Sequence, residues 1–502
     1  MLTENLSRQA TERGDAVALV DGAQRHSYAD LHGAAAAVAA QLGAKGVRVG
    51  DRVALLLDNG FDYVAALYGC LACGAVAVPL NTAARAGDLG GWIAHADARA
   101  VVLAPGHPAA GELLATARGD GRLILMTSGA DVVEGSRLCT DARTAYGALA
   151  RPASADAPAM ILYTSGTTGR PKGVVLTHRN LAANVAAIVD YLALGPTDRM
   201  VTVLPFFYSF GNSVLHTHLA VGAMLVLEPN LVYPQKVLET LVRERATGFA
   251  GVPSTFALLL SRARLADYDL SALRYVQQAG GGMPPALIER TLQALPASCS
   301  FFVMYGQTEA TARISYLPPE HLRAKPGSVG IPLRGVEIEV RREDRSRCAA
   351  LEVGTIFVRG EGVMAGYWND PGLTASVLAG GWLNTGDSGY VDADGYLYIA
   401  GRRSDIIKTG AHRVQPQDVE AVIAEIEGVE EAAVVPVDDD ILGEVVKAVV
   451  VLRPGAVVTD LEIKARCRAR LAAYKIPKRV EFASSLPRTS TGKVQRHLLA
   501  RP

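Results

Sequence analysis

Leu162 Tyr163 Thr164 Ser165 Gly166 Thr167 Thr168 Gly169 Arg170 Pro171 Lys172 Gly173 is the stretch on which the reading of this chain turns. Hydroxyls, glycines and two cations in a short loop are what a chain uses to wrap backbone N–H groups and positive charge around a polyphosphate. The apolar runs Ala157 to Tyr163 and Gly173 to Leu176 on either side have strand length, so the loop is predicted to join two strands. A Walker loop places its lysine directly after a glycine, follows it with Ser or Thr, and opens a helix. Here Pro171 precedes Lys172 and Gly173 follows it. The prediction is an ATP site of another kind, although a Gly/Ser/Thr string taken alone reads equally as a solvated turn.

Outward from this loop the chain alternates. Strand-length runs Val53 to Leu57, Val101 to Leu103, Met200 to Leu204, Met224 to Leu227 and Tyr275 to Gln278 are interleaved with helical stretches Tyr28 to Leu42, Leu181 to Leu192 and Pro284 to Leu295. This is an α/β pattern. After about residue 400 the texture changes: Asp418 to Ile426 and Asp460 to Tyr474 read as helices, separated by strand runs Ala432 to Val435 and Val445 to Val451. A compact α+β unit fits there, joined through the polar segment Gly401 to Asp405.

Composition narrows the function classes. The chain has 502 residues, enough for two or more domains, and a formal net charge of zero, which leaves no electrostatic footprint for nucleic acid or an anionic membrane. Met1 to Asp15 lacks the basic-then-apolar order of a signal peptide, and no apolar run approaches ~20 residues, so a cytoplasmic protein is expected. Six cysteines are scattered, and only Cys70 and Cys73 stand close. They lie in Tyr63 to Val78, an apolar run read as one buried helix, where small hydrophobic thiols are expected rather than zinc ligands.

Two further clusters follow predicted strands. Tyr305 Gly306 Gln307 Thr308 Glu309 comes after Phe301 to Met304, at the kind of strand end where α/β sheets place ligand chemistry, and Glu309 could hold the Mg²⁺ that accompanies ATP. Ala279 Gly280 Gly281 Gly282 Met283 Pro284 would let a flat ring approach the backbone, or make a tight turn into the next helix.

Together these pieces resemble the adenylate-forming superfamily of acyl-CoA and acyl-carrier-protein synthetases, luciferases and peptide-synthetase adenylation domains. The later blocks match in order: Gly327 Ser328 Val329 Gly330, Gly366 Tyr367 Trp368, Trp382 Leu383 Asn384 Thr385 Gly386 Asp387, Gly401 Arg402, Lys408, and Pro487 Arg488 Thr489 Ser490 Thr491 Gly492 Lys493. The resemblance implies a large N-terminal domain of mixed β-sheets flanked by helices over residues 1–401. It implies a small mobile α+β domain over residues 402–502.

The resemblance also assigns roles. Thr164, Ser165, Gly166, Thr167, Thr168, Gly169 and Lys172 would close on the β- and γ-phosphates, with Thr164 and Glu309 near Mg²⁺ and Thr308 donating to the α-phosphate. Gly280, Gly281, Gly282, Met283 and Tyr305, with neighbouring Gly306 and Gln307, would hold adenine and the nucleotide. Asp387 would accept both ribose hydroxyls, and Arg402 would add a cation on the same sugar. Lys493 would be the catalytic lysine bridging substrate carboxylate and phosphate. The small domain would turn about Ser404 to bring up Lys408 and Thr409 to Val414 for thiolysis, with Ala411 where a glycine is common.

Leu204 Pro205 Phe206 Phe207 Tyr208 Ser209 Phe210 Gly211 Asn212 matches the acyl block, and no acid occurs from Leu204 through Leu227. An α-ammonium buried there would have no partner, so the expected substrate is a carboxylic acid without an α-amine. Phe207, Tyr208, Ser209 and Asn212 are its candidate lining, and the aromatics suggest an apolar acyl chain such as that of a fatty acid. Tyr208 stands where many acyl-CoA ligases have histidine. The basic segment Lys464 to Arg479 could meet the phosphates of CoA or an acidic acyl carrier protein. An amino-acid adenylation domain, a luciferase-like oxygenase and a catalytically idle nucleotide-binding regulator remain as alternatives.

Overall fold

A computed structural model of the chain describes residues 1–104, 106–113, 124–128, 136–138, 149, 154–164, 172–229, 231, 233–402, 407–409, 412–439, 443–488 and 494–500. Mixed β-sheets flanked by helices build the large N-terminal part, and a smaller sheet with its own helices follows it.

The principal sheet has fourteen strands among the described residues. Its centre is parallel, running Val17–Asp21, Met224–Leu227, Arg199–Thr202, Gly248–Gly251, Tyr275–Gln278 and Ser300–Tyr305 side by side. Beyond Ser300–Tyr305 the pairing turns antiparallel through Ser315–Leu317, Ser328–Pro332, Leu397–Arg402 and Trp382–Val391. A second sheet carries Lys172–Thr177 against Pro158–Thr164, antiparallel as the phosphate-loop reading requires, with Thr164 opposite Lys172 at its mouth. Its other strands include Val76–Pro79, Arg52–Leu56 and Ala98–Leu103, all parallel.

Local chemistry sets several boundaries. Ser27 and Thr177 each accept from the backbone N–H three residues on, while Asp30 and Asn180 reach back, starting helices Tyr28–Ala44 and His178–Leu192. The run Met200 to Leu204 is cut short, because the Thr202 hydroxyl accepts from Leu204 N at 3.2 Å and bends the chain out of the strand Arg199–Thr202. Tyr63 to Val78 is not one helix. Helix Phe61–Ala72 ends at a left-handed Gly74 (φ 76°), and Val76–Pro79 is a strand. Both halves are buried, and periodicity cannot separate a buried helix from a buried strand. Cys70 sits in this helix with no measurable exposure, its thiol pushed well up by burial.

The C-terminal part has a five-stranded sheet with helices Pro416–Ala424 and Asp460–Arg470 on it. Ile407, Val419, Ile423, Val434, Val446, Val450 and Ile463 form its core. The second helix stops short of Tyr474, at an extended Leu471, and a single 3₁₀ turn follows at Ala473–Lys475. No helix among the described residues is long and apolar enough to cross a membrane.

Candidate active site

Three parallel strands deliver their carboxyl ends to one region, where open α/β sheets bind ligands. Tyr275–Gln278 leads into Gly280–Met283, Ser300–Tyr305 leads into Gly306–Glu309, and Arg199–Thr202 leads into the acyl block at the start of helix Ser209–Val221. The loops touch: Thr308 Oγ1 lies 3.3 Å from Ser209 Oγ. Asn59, unmarked in the sequence reading, clamps the acyl block by donating to Leu204 O and accepting from Phe206 N, both at 2.8 Å.

The loop after Tyr305 is closed tightly. Ile314 N donates to Tyr305 O at 2.8 Å, and a Cβ on Gly306 would lie 1.8 Å from Ala312 O, so only glycine fits. Residues 361–367 brace it from outside. Thr311 Oγ1 donates to Gly362 O at 2.6 Å, Met364 N to Glu309 O at 2.9 Å, and the Tyr367 hydroxyl to Glu309 Oε1 at 2.9 Å. Tyr367 in turn pairs with Val174, and Trp368 N donates to Gly173 O at 2.7 Å. The block Gly366 Tyr367 Trp368 is therefore the link between the phosphate-loop strand and Glu309.

Tyr305 donates its hydroxyl to Asp387 Oδ2 at 2.6 Å, and strand pairing sets Asp387 opposite Arg402. The two residues expected on one sugar are thus opposite each other in strand register. The Gln278 amide donates to Gly281 O at 2.9 Å and fixes the glycine turn. Met283 is buried with Val276, Phe256 and Phe301, so toward a nucleotide it offers backbone only. In the acyl block Phe206 packs its ring on Tyr63 in the core, whereas Phe207, Tyr208, Ser209 and Phe210 are half-exposed. Asn212 is buried, with its Nδ2 unpaired.

The donor set fits Mg²⁺. Glu309 and Thr164 supply hard oxygens, and only one Glu309 oxygen is hydrogen-bonded among the described residues. Ser165–Gly169, Ser404, Ala411 and Lys493 lie outside the described residues, as do the side chains of Arg402 and Lys408. The backbone of Lys408 pairs with Arg413, joining strands Ile407–Thr409 and His412–Val414.

Besides Asn59, a second side chain in this region escaped the sequence reading. Arg313 closes the same loop, is 1% exposed, and has its guanidinium pushed below its usual range by burial. Its only sequence signal is a lone cation in the otherwise uncharged run Thr311 to Leu317.

The sequence profile of the AMP-binding enzyme matches residues 6–368, and that of the AMP-binding enzyme C-terminal domain matches residues 418–493. The chain belongs to the AMP-binding enzyme family. Among its relatives, a feruloyl-CoA synthase from Amycolatopsis is 35% identical over 489 residues, 97% of this chain and 96% of that protein. A 2-succinylbenzoate–CoA ligase from Geobacillus kaustophilus is 32% identical over 497 residues, covering 99% and 97%. ATP-bound MatB from Rhodopseudomonas palustris superposes with a TM-score of 0.91 at 32% identity, covering 100% of this chain and 98% of that one. The o-succinylbenzoate-CoA synthetase from Bacillus subtilis, in complex with ATP and magnesium ion, gives 0.86 at 30% identity, covering 99% of both. This AMP-binding enzyme is an acid–thiol ligase.

Proposed function

We propose that the chain joins a carboxylic acid without an α-amine to ATP as an acyl adenylate, releasing pyrophosphate, then passes the acyl group to the thiol of CoA, releasing AMP. The observation that carries this reading is the single closed loop from Tyr305 to Arg313. It sets Tyr305 on Asp387, Glu309 on Tyr367 and Thr308 beside Ser209, so groups suited to sugar, metal-bound phosphate and acid stand in one register.

The acid's carboxylate attacks the α-phosphorus, and pyrophosphate leaves. Attack of one anion on another needs charge neutralisation, which Lys493 supplies at the reacting oxygens while Lys172 and the loop Thr164 to Gly169 hold the departing phosphates. Mg²⁺ would be held by Glu309 and Thr164 and would neutralise phosphate charge. Thr308 donates to the α-phosphate, and Asp387 with Arg402 holds the ribose. Residues 402–502 then turn about Ser404, moving Lys493 away and bringing Lys408 and the hairpin beyond it toward the thiol.

CoA is preferred over a carrier protein as acceptor because the relatives are named CoA synthases and ligases. The basic segment does not separate the two, since much of it is engaged within the chain: Arg466 and Arg470 pair with Glu425, Lys464 with Asp460 and Lys475 with Asp418. The acid is read as apolar through its middle, lying against Phe207, Tyr208 and Phe210, with fatty and aryl acids both in the candidate set.

Pyrophosphate release measured over a panel of fatty, aryl, branched and hydroxy acids, then with CoA and with a phosphopantetheinylated carrier protein, tests the proposal. Lys493→Ala should lose roughly a hundredfold or more in acid-dependent ATP–pyrophosphate exchange. Exchange driven by amino acids alone, or unchanged in the variant, would refute it.

A further inference from the structure

Arg313 has a charge that the protein does not match. Its Nη2 donates to Gln277 Oε1 at 2.9 Å, and its guanidinium carbon lies 4.7 Å above the ring of Phe210. Nε and Nη1 have no partner, and no carboxylate of the described residues forms an ion pair with it. A further buried donor beside it stands unpaired, Gln277 Nε2 on the same side chain whose oxygen receives Arg313. A buried guanidinium whose hydrogen-bond partner is one amide oxygen, with a ring face beneath it, is under-compensated until a further acceptor joins it.

The position says which acceptor. Arg313 closes the loop that carries Thr308 and Glu309, and it lies over Phe210, next to Ser209 in the acyl block. Its backbone is fixed too, since Asn184 Nδ2 donates to Arg313 O at 2.9 Å. A side chain held at the sheet and stacked on a pocket aromatic cannot swing out to solvent without vacating the core.

We propose that Arg313 is a specificity residue that grips a second anionic group, a carboxylate or its like, at the far end of the acid being activated. This deepens the reading of the cleft as an acyl site and rests on it. The apolar character inferred from the aromatics then describes the middle of the substrate, with an anion at each end. Guanidinium and carboxylate suit each other in charge and in planar geometry, and the unpaired Gln277 amide nitrogen would add a neutral donor.

The test uses matched acids in which the distal carboxylate is replaced by an ethyl group of similar shape: glutarate against hexanoate, and 4-carboxycinnamate against 4-ethylcinnamate. Acid-dependent ATP–pyrophosphate exchange gives kcat/KM for each. The wild type is expected to favour the diacid of at least one pair by about tenfold to a hundredfold, because a site built around a polar partner rejects analogues lacking it. Arg313→Met should abolish that preference, read as the ratio of kcat/KM within each pair, and Arg313→Lys should keep part of it. AMP binding and a melting scan report whether Arg313→Met folds. If it does not, the wild-type ratios and Arg313→Lys decide. A wild type that prefers the ethyl acids, or a folded Arg313→Met with unchanged ratios, overturns the proposal while leaving the ligase reading intact. Exchange with no acid at all would remove both.

Discussion

Removing the Asp387 carboxylate tests the nucleotide site most directly. In the proposed complex its two oxygens accept from two ribose hydroxyls, while in the free protein Oδ2 already accepts from Tyr305 at 2.6 Å. A hydrogen bond to a charged group contributes about 1.5–3 kcal/mol, so losing two should cost about 3–6 kcal/mol, or roughly a hundredfold to ten-thousandfold in ATP affinity. Asp387→Asn keeps one acceptor oxygen and should fall between wild type and Asp387→Ala. Tyr305→Phe removes one donor that orients the carboxylate and touches neither ribose hydroxyl, so about 1 kcal/mol, or roughly fivefold, is expected. In the Asp387→Ala background the same Tyr305 change should cost nothing further on this account, because its partner is gone. The assay is acid-dependent ATP–pyrophosphate exchange with ATP and acid varied separately, alongside calorimetric binding of AMP. An ATP KM shifted less than threefold in a folded Asp387→Ala, or a rise confined to the acid KM, would refute the ribose assignment.

Other outcomes follow from particular contacts. Gly306→Ala should cut adenylation by at least a hundredfold in a protein that still melts cooperatively, since its Cβ would press on Ala312 O and displace Thr308, Glu309 and Arg313 together; near-normal exchange would show the loop to be looser than described. His216 and His218 are fully buried, and burial lowers them to about 3 and about 4. Below pH ~6.5 the unfolded chain takes up protons that the folded one refuses, so stability should fall with acid by up to about 1.4 kcal/mol per pH unit for each, until the folded values are reached. Urea denaturation between pH 7 and 5 checks this, and His218→Asn should flatten the slope.

How far the sequence led can be judged from individual elements. Met224–Leu227 and Tyr275–Gln278 were legible to the residue, because short apolar runs between polar turns admit little else in an alternating chain. The hairpin around the phosphate loop was legible for the same reason, and the ordered blocks pointed to Asp387, Glu309 and Tyr305 without any structure. Tyr63 to Val78 was not, since a buried helix and a buried strand share one composition and only Gly74 marks the break. Thr202 ended a strand through a side-chain hydrogen bond, which hydrophobicity patterns do not register. Arg313 and Asn59 were invisible, and Tyr367 was legible only as part of the block Gly366 Tyr367 Trp368, not as the partner of Glu309. Each acts through a partner far away in sequence, at Gln277, Leu204 and Glu309 respectively.

Because one eight-residue closure from Gly306 to Arg313 seats the residues proposed to meet phosphate at its start and the guanidinium proposed to meet the acid at its end, choice of substrate and rate of chemistry are not separable inheritances on this reading. A lineage that altered position 313 to accept a new acid would also shift the platform under Glu309. New substrates should therefore be acquired first as slow ones. Compensating changes are expected along the brace from Gly362 to Tyr367, well away from any atom of the acid.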